Sequence, residues 1–153
     1  MSFKKALLAG FVATLAMTML MYIAPMMGMP KMDIASMLGG MLGGGMPAAM
    51  SGSWLMGMLI HFVNGTVIFP LIFAFLLYSR FPGAPVVKGI LWGLILWFLA
   101  QAMVMPIMGA GFFASKTLQP FITVFGSLMG HIIYGAILGL IYGTQPVAQP
   151  RMA

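Results

Sequence analysis

The sequence predicts an all-α integral membrane protein, a four-transmembrane-helix up-down bundle built as a duplicated helical hairpin. Three observations predict it. Of the 153 residues, 62% are hydrophobic and 5% charged, and the mean hydropathy is +1.09, far from the roughly one-quarter charged content of a soluble domain. The apolar residues fall into four runs, about 6–24, 53–77, 89–105 and 121–142, and about 20 helical residues cross a bilayer. Short patterns in the first half recur in the second. The whole chain, 1–153, reads as a single transmembrane domain whose first partner is the lipid bilayer.

Composition also excludes. With no cysteine, disulfides, iron–sulfur clusters, thiolate zinc sites and cysteine nucleophiles are ruled out together. Asp33 is the single acidic residue, which removes paired-carboxylate chemistry and carboxylate cages for Mg²⁺ or Ca²⁺ within one chain. Most enzyme classes fall with these absences, and no catalytic residue is assigned. The net charge of +6 comes from seven scattered cations, Lys4, Lys5, Lys31, Arg80, Lys88, Lys116 and Arg151. They form no basic stripe, so no nucleic-acid partner is expected, and they mark loops.

The first run follows a short basic flank, Met1 to Lys5, and its nineteen residues from Ala6 to Ala24 give roughly 28 Å of helix. That apolar core is longer than the 7–15 residues usual in a signal peptide, and no small-x-small cleavage site follows it. It reads as an uncleaved helix carrying an i, i+4 packing stripe of Gly10, Thr14, Thr18 and Tyr22.

Residues 25–52 form an outer connector with seven glycines and eight methionines. In it Asp33 is placed to N-cap Ile34, Met37, Leu38, Met41 and Leu42, a short helix lying in the interface. Gly39-Gly40 and Gly43-Gly44-Gly45 make that helix weak. The methionines are either a thioether surface for Cu(I) or flexible apolar filler. The second run carries His61, Asn64 and a kinking Pro70 between the interfacial aromatics Trp54 and Tyr78. The third ends at Pro106, with Gln101 its strongly polar group. A loop with Phe112, Phe113 and Lys116 leads to the fourth, and Gly143 to Ala153 is a polar tail.

Five cations, Lys4, Lys5, Arg80, Lys88 and Arg151, fall on one side and two, Lys31 and Lys116, on the other. Positive residues concentrate inside. Both termini are therefore expected in the cytoplasm, in a bacterial inner membrane.

The repeat pairs Lys5-Ala-Leu-Leu-Ala-Gly10 with Lys88-Gly-Ile-Leu-Trp-Gly93 and Pro25-Met-Met-Gly28 with Pro106-Ile-Met-Gly109. It also pairs Gly57-x-x-x-His61-x-x-x-Gly65 with Ser127-x-x-x-His131-x-x-x-Gly135. Two spans per copy give both copies one orientation, related by a pseudo-two-fold axis along the membrane normal. In an up-down ring the second and fourth helices lie across a diagonal, with His61 and His131 about 12 and 15 Å below the outer edge.

These are the chain's two histidines, each set between small residues on one helical face. One reading is structural: neutral imidazoles bonded to a backbone carbonyl, Asn64, Tyr134 or Gln101, with the glycines packing helices and no cofactor bound. A second is bis-histidine ligation of a b-type haem for electron transfer, with Gly57, Gly65, Ser127 and Gly135 making room for the porphyrin. A third is a copper path from the methionine connector to the histidines as metal ligands. A serine hydrolase from Ser127 and His131 is disfavoured, because the two lie one turn apart on one helix and Phe125 spoils the Gly-x-Ser-x-Gly elbow.

The stretches Trp54-Leu-Met-Gly-Met-Leu-Ile-His61-Phe-Val-Asn-Gly65, Pro106-Ile-Met-Gly-Ala-Gly-Phe-Phe113 and Gly130-His-Ile-Ile-Tyr-Gly-Ala-Ile-Leu-Gly-Leu-Ile-Tyr-Gly143 resemble a group of small, uncharacterised bacterial four-span membrane proteins. The resemblance covers nearly the whole chain and implies topology, with no established activity attached. Short loops leave little mass outside the membrane. A non-catalytic accessory subunit of a larger complex, or a homo-oligomer, is therefore a competing expectation.

Overall fold

The computed structural model describes residues 2–29 and 31–144, and the described residues are helical without strands. Four helices are long and apolar enough to cross a membrane, α1 (Phe3–Met27), α3 (Gly52–Leu77), α4 (Pro85–Ile107) and α5 (Pro120–Gly143). A shorter apolar helix, α2 (Ile34–Gly43), lies between the first two. Arg151 and most of the polar tail lie outside the described residues.

The spans extend beyond the apolar runs because polar and proline residues cap them. Ser2 accepts from the Lys5 backbone N–H at 3.4 Å, which starts α1 inside its basic flank. Pro85 and Pro120 stand in the first turns of α4 and α5, where a missing N–H costs no bond. Pro106, read from sequence as the end of the third span, lies inside α4. A π-helical turn at Ala100–Val104 precedes it, and the Met105 N–H returns five residues to the Ala100 carbonyl. That wider turn absorbs the proline.

Lipid is as apolar as any side chain, so helices in a membrane gain by close packing. Small residues supply it here. The backbone of Gly10 in α1 lies against the Gly65 and Thr66 carbonyls and the Pro70 ring of α3. Gly93 in α4 lies against the His131 carbonyl and Gly135 of α5, and Gly89 against Gly135 and Gly139. A methyl group at Gly10, Gly89 or Gly93 would collide with backbone. Gly10 and Gly93 are equivalents in the internal repeat, as are Gly65 and Gly135, so both hairpins close at the same contact.

The packing stripe of α1 holds for three of its four residues. Gly10, Thr14 and Thr18 are buried, and the two threonine hydroxyls donate one turn back to the Gly10 and Thr14 carbonyls, both at 2.7 Å. Tyr22 is exposed. Between the hairpins the pseudo-symmetry relaxes: α1 packs closely along α5, whereas α3 and α4 meet through side chains such as Phe69 edge-on to Trp92 at 6.4 Å.

The connector helix departs from its expected setting. Asp33 caps it as the spacing predicts, accepting from the Ser36 N–H at 3.1 Å. The same carboxylate accepts from the Trp54 indole at 3.2 Å, so Trp54, expected as an interfacial anchor, is buried. Burial alone would raise the Asp33 pKa. Hydrogen bonds from Ser36 and Trp54 and the charge of Lys31 outweigh it and hold the carboxyl below its ordinary value. Instead of lying free in the interface, α2 docks on α3, with Gly39 against the Ser53 carbonyl and Gly57 against the Ala35 carbonyl and the Gly39 nitrogen. Gly39 weakens the helix in isolation but is the residue that lets it pack.

At the opposite end Tyr78 meets Tyr142 edge-on at 4.9 Å, and Phe73 meets Tyr142 at 6.0 Å. Lys88 donates to the Tyr78 carbonyl at 2.8 Å and Lys5 to the Thr144 carbonyl. Two of the five cations assigned to one side thus gather at one end of the bundle.

The glycine seams make a direct forecast. Gly89→Leu forces a side chain into backbone and should cost at least the about 1–3 kcal/mol typical of overpacking. Gly45→Ala, facing open space, should be neutral. Thermal unfolding in detergent should show a lowered midpoint for the first and an unchanged one for the second.

Candidate functional site, a cavity between the paired histidines

A cavity of about 350 Å³ opens between the four spans in the half nearer α2, and both histidines line it. Gln101, Ser127, Asn64 and Tyr134 add polar groups, and most of the remaining wall is leucine, methionine and phenylalanine. Largely apolar cavities of a few hundred Å³ with a few convergent polar groups are the usual form of a small-ligand site. The repeat accounts for the convergence: His61 stands four residues before Gly65 and His131 four before Gly135, and each hairpin closes at that glycine.

Hydrogen bonding assigns the imidazole tautomers. Thr18 Oγ1 lies 2.7 Å from the Thr14 carbonyl and 2.9 Å from His61 Nε2; with the hydroxyl proton on that carbonyl, His61 donates from Nε2–H and its Nδ1 is a lone pair. His131 Nδ1 lies 2.8 Å from the Ser127 carbonyl, which can only accept. Its Nδ1 therefore carries the hydrogen and its Nε2 is bare. Each ring has one nitrogen tied to a helix and one acceptor, on which no donor among the described residues sits.

Gln101 stands behind the cavity wall. Its amide nitrogen donates to Ser127 Oγ at 3.0 Å, while its Oε1 is buried without a partner in a side chain with no solvent exposure. An unpaired buried amide oxygen costs about 1–3 kcal/mol. The cavity is thus neutral and rich in acceptors, with the Ser127 hydroxyl and the Asn64 amide as its potential donors.

Tyr134, expected as a partner for a histidine, serves α3 instead. In the π-helical turn Asn64–Ile68 the Phe69 N–H returns to the Asn64 carbonyl, and Pro70 has no N–H to give. The Gly65 carbonyl is left without an intrahelical donor. Tyr134 supplies one from α5 at 2.8 Å, as backbone inside a membrane requires.

Of the six residues assigned to the site from sequence, His61, His131, Gly65 and Ser127 line the cavity, and two do not. Gly57 is covered by the backbone of α2, and Gly135 lies in the seam with α4. The face of Gly65 is filled by Thr14. The room expected at these glycines for a porphyrin is therefore taken by neighbouring helices, and His61 would have to release Thr18 to ligate through Nε2. No group of three His, Cys, Asp or Glu side chains suited to a metal occurs among the described residues.

Sequence reasoning missed the methionines as cavity walls. Met17, Met32, Met37, Met105 and Met108 all line it, and Met17 lies over Gly130 while Met29 and Met32 lie over Gly126. The small-residue face of α5 beyond its seam was the available signal. It receives thioether side chains where a helix could have lain.

Tyr134→Phe isolates one bond. Removing the hydroxyl strands the Gly65 carbonyl and should cost about 1–2 kcal/mol, read as a lower unfolding midpoint with helix content unchanged by circular dichroism.

A model of a family of unknown function (DUF6789) matches residues 2–151. No curated protein and no solved structure matches the chain.

Proposed function

The chain belongs to that family of unknown function, membership brings no activity with it, and we propose from the geometry that it is an intramembrane binding protein. Its ligand is a small, lipid-soluble molecule carrying hydroxyl or N–H donors, of the phenol or hydroquinone class, held between His61 and His131. The observation that carries this reading is a pair of acceptors without a donor on one apolar cavity, the second ring nitrogen of each histidine. A ligand with donors satisfies them, while one with only acceptors adds to the deficit.

A b-type haem is the second reading, favoured by both histidines reaching one cavity and opposed by the filled glycine faces. Absorbance separates the two. Protein purified from haem-replete membranes should be colourless and should release a donor-bearing organic compound on extraction. His131→Leu should weaken rebinding of that compound by about five- to tenfold, the worth of about one hydrogen bond. Equal retention by wild type and His131→Leu would refute the reading, and a Soret band lost in either histidine variant would establish haem instead.

We assign the protein to a bacterial inner membrane with both termini inside, supported by the grouping of cations. Cysteines introduced at Ser79 should label from the cytoplasm, and those at Ala48 and Ser115 from outside; reversed labelling would invert the assignment.

A further inference from the structure

Beyond the histidine cavity lies a second, larger chamber of about 920 Å³, formed by the connector, α2, the end of α4 and the start of α5. Seven methionines line it. Four of these, Met32, Met37, Met105 and Met108, line the inner cavity as well, so they form a collar where the two chambers meet. Met105 is buried, and Met32 lies over Gly126 of α5. The collar thus comes from the connector, α2 and the C-terminal end of α4, elements that the fold brings together from distant parts of the sequence.

Chemistry narrows what such a collar can hold. The protein's one carboxylate, Asp33, is committed to Ser36 and Trp54, and no cysteine exists. Hard cations such as Mg²⁺ and Ca²⁺ are held chiefly by carboxylates, and no carboxylate is among the residues that line the chamber. Thioethers are soft ligands that select Cu(I) and need no deprotonation to bind it. Lys31 is the charged group on the chamber wall, and its charge is felt by Asp33 nearby, which offsets its repulsion of a monovalent cation.

We propose that the collar of Met32, Met37, Met105 and Met108 is a binding site for Cu(I), reached from the outer chamber. Three or four thioethers complete the coordination of the ion, which enters by ligand exchange with no change of oxidation state. This site shares its four methionines with the wall of the inner cavity but uses neither histidine. His131→Leu should therefore leave Cu(I) retention intact while weakening the organic ligand.

The test is competition between purified full-length protein in detergent and a chromogenic Cu(I) chelator under ascorbate, with Ag(I) as a redox-inert second probe. Wild type should retain one ion per chain. Met32→Leu and Met108→Leu, which conserve side-chain volume, should each weaken retention by about tenfold or more, and the double variant should abolish it. Met26→Leu with Met27→Leu, fully outside both chambers and exposed, should change nothing. Failure of wild type to hold either ion against the chelator overturns the proposal, whatever the variants do. Retention lost equally in the Met26 and Met27 variant also overturns it, because binding would then be a property of exposed thioethers in general.

Discussion

Backbone lying directly on backbone is the contact on which the rest of the protein depends. Between two helices in lipid the hydrophobic effect supplies nothing, and attraction comes from how closely the chains approach. Gly10 against Gly65 closes one hairpin, and Gly93 with Gly89 against Gly135 closes the other. These contacts occupy equivalent places in the repeat. Each histidine stands one turn from its seam glycine, so the seams carry His61 and His131 to one level and onto one cavity. Widening either seam would misplace a histidine as well as loosen a helix pair.

The two copies then diverge where the cavity needs it. A π-helical turn begins at Asn64 in α3 and another at Ala100 in α4, and a proline follows six residues after each start, at Pro70 and Pro106. These helices are not equivalents in the repeat. They are the pair that meets through side chains while α1 and α5 pack closely. Each wide turn carries a polar side chain that lines the cavity, Asn64 in one and Gln101 in the other. Single π-helical turns recur at functional sites because they rotate the residues that follow without ending the helix. Here they flank the acceptor set, and the one carbonyl traced out of register, that of Gly65, is paired by Tyr134 across the bundle.

Much of this was legible in the sequence. Hydropathy gave all four spans, Asp33 was readable as a cap from the apolar positions after it, and the repeat paired Gly10 with Gly93, the positions at which the structure closes the two hairpins. The histidines were legible as a pair because they are matched and are the chain's only two. What filled the space beside each glycine was not legible. A small residue says that something comes close, and the sequence cannot say whether that is a porphyrin, as read for Gly57 and Gly135, or the backbone of α2 and α4. Methionine posed the same difficulty: filler and ligand share one composition, and only the fold sets Met32, Met37, Met105 and Met108 on the walls of both cavities. The buried bond between Asp33 and Trp54 was hidden because an aromatic at the end of a span ordinarily marks the interface.

The central claim is that two neutral imidazoles present acceptor nitrogens of opposite kind to one cavity. Nitrogen-15 NMR of histidine-labelled protein in a lipid bilayer tests it most directly. The account predicts one ring protonated at Nε2, whose signals change in Thr18→Val, and one protonated at Nδ1, which that variant leaves alone. Two rings of the same tautomer, or rings exchanging freely between tautomers with no response to Thr18→Val, would contradict it.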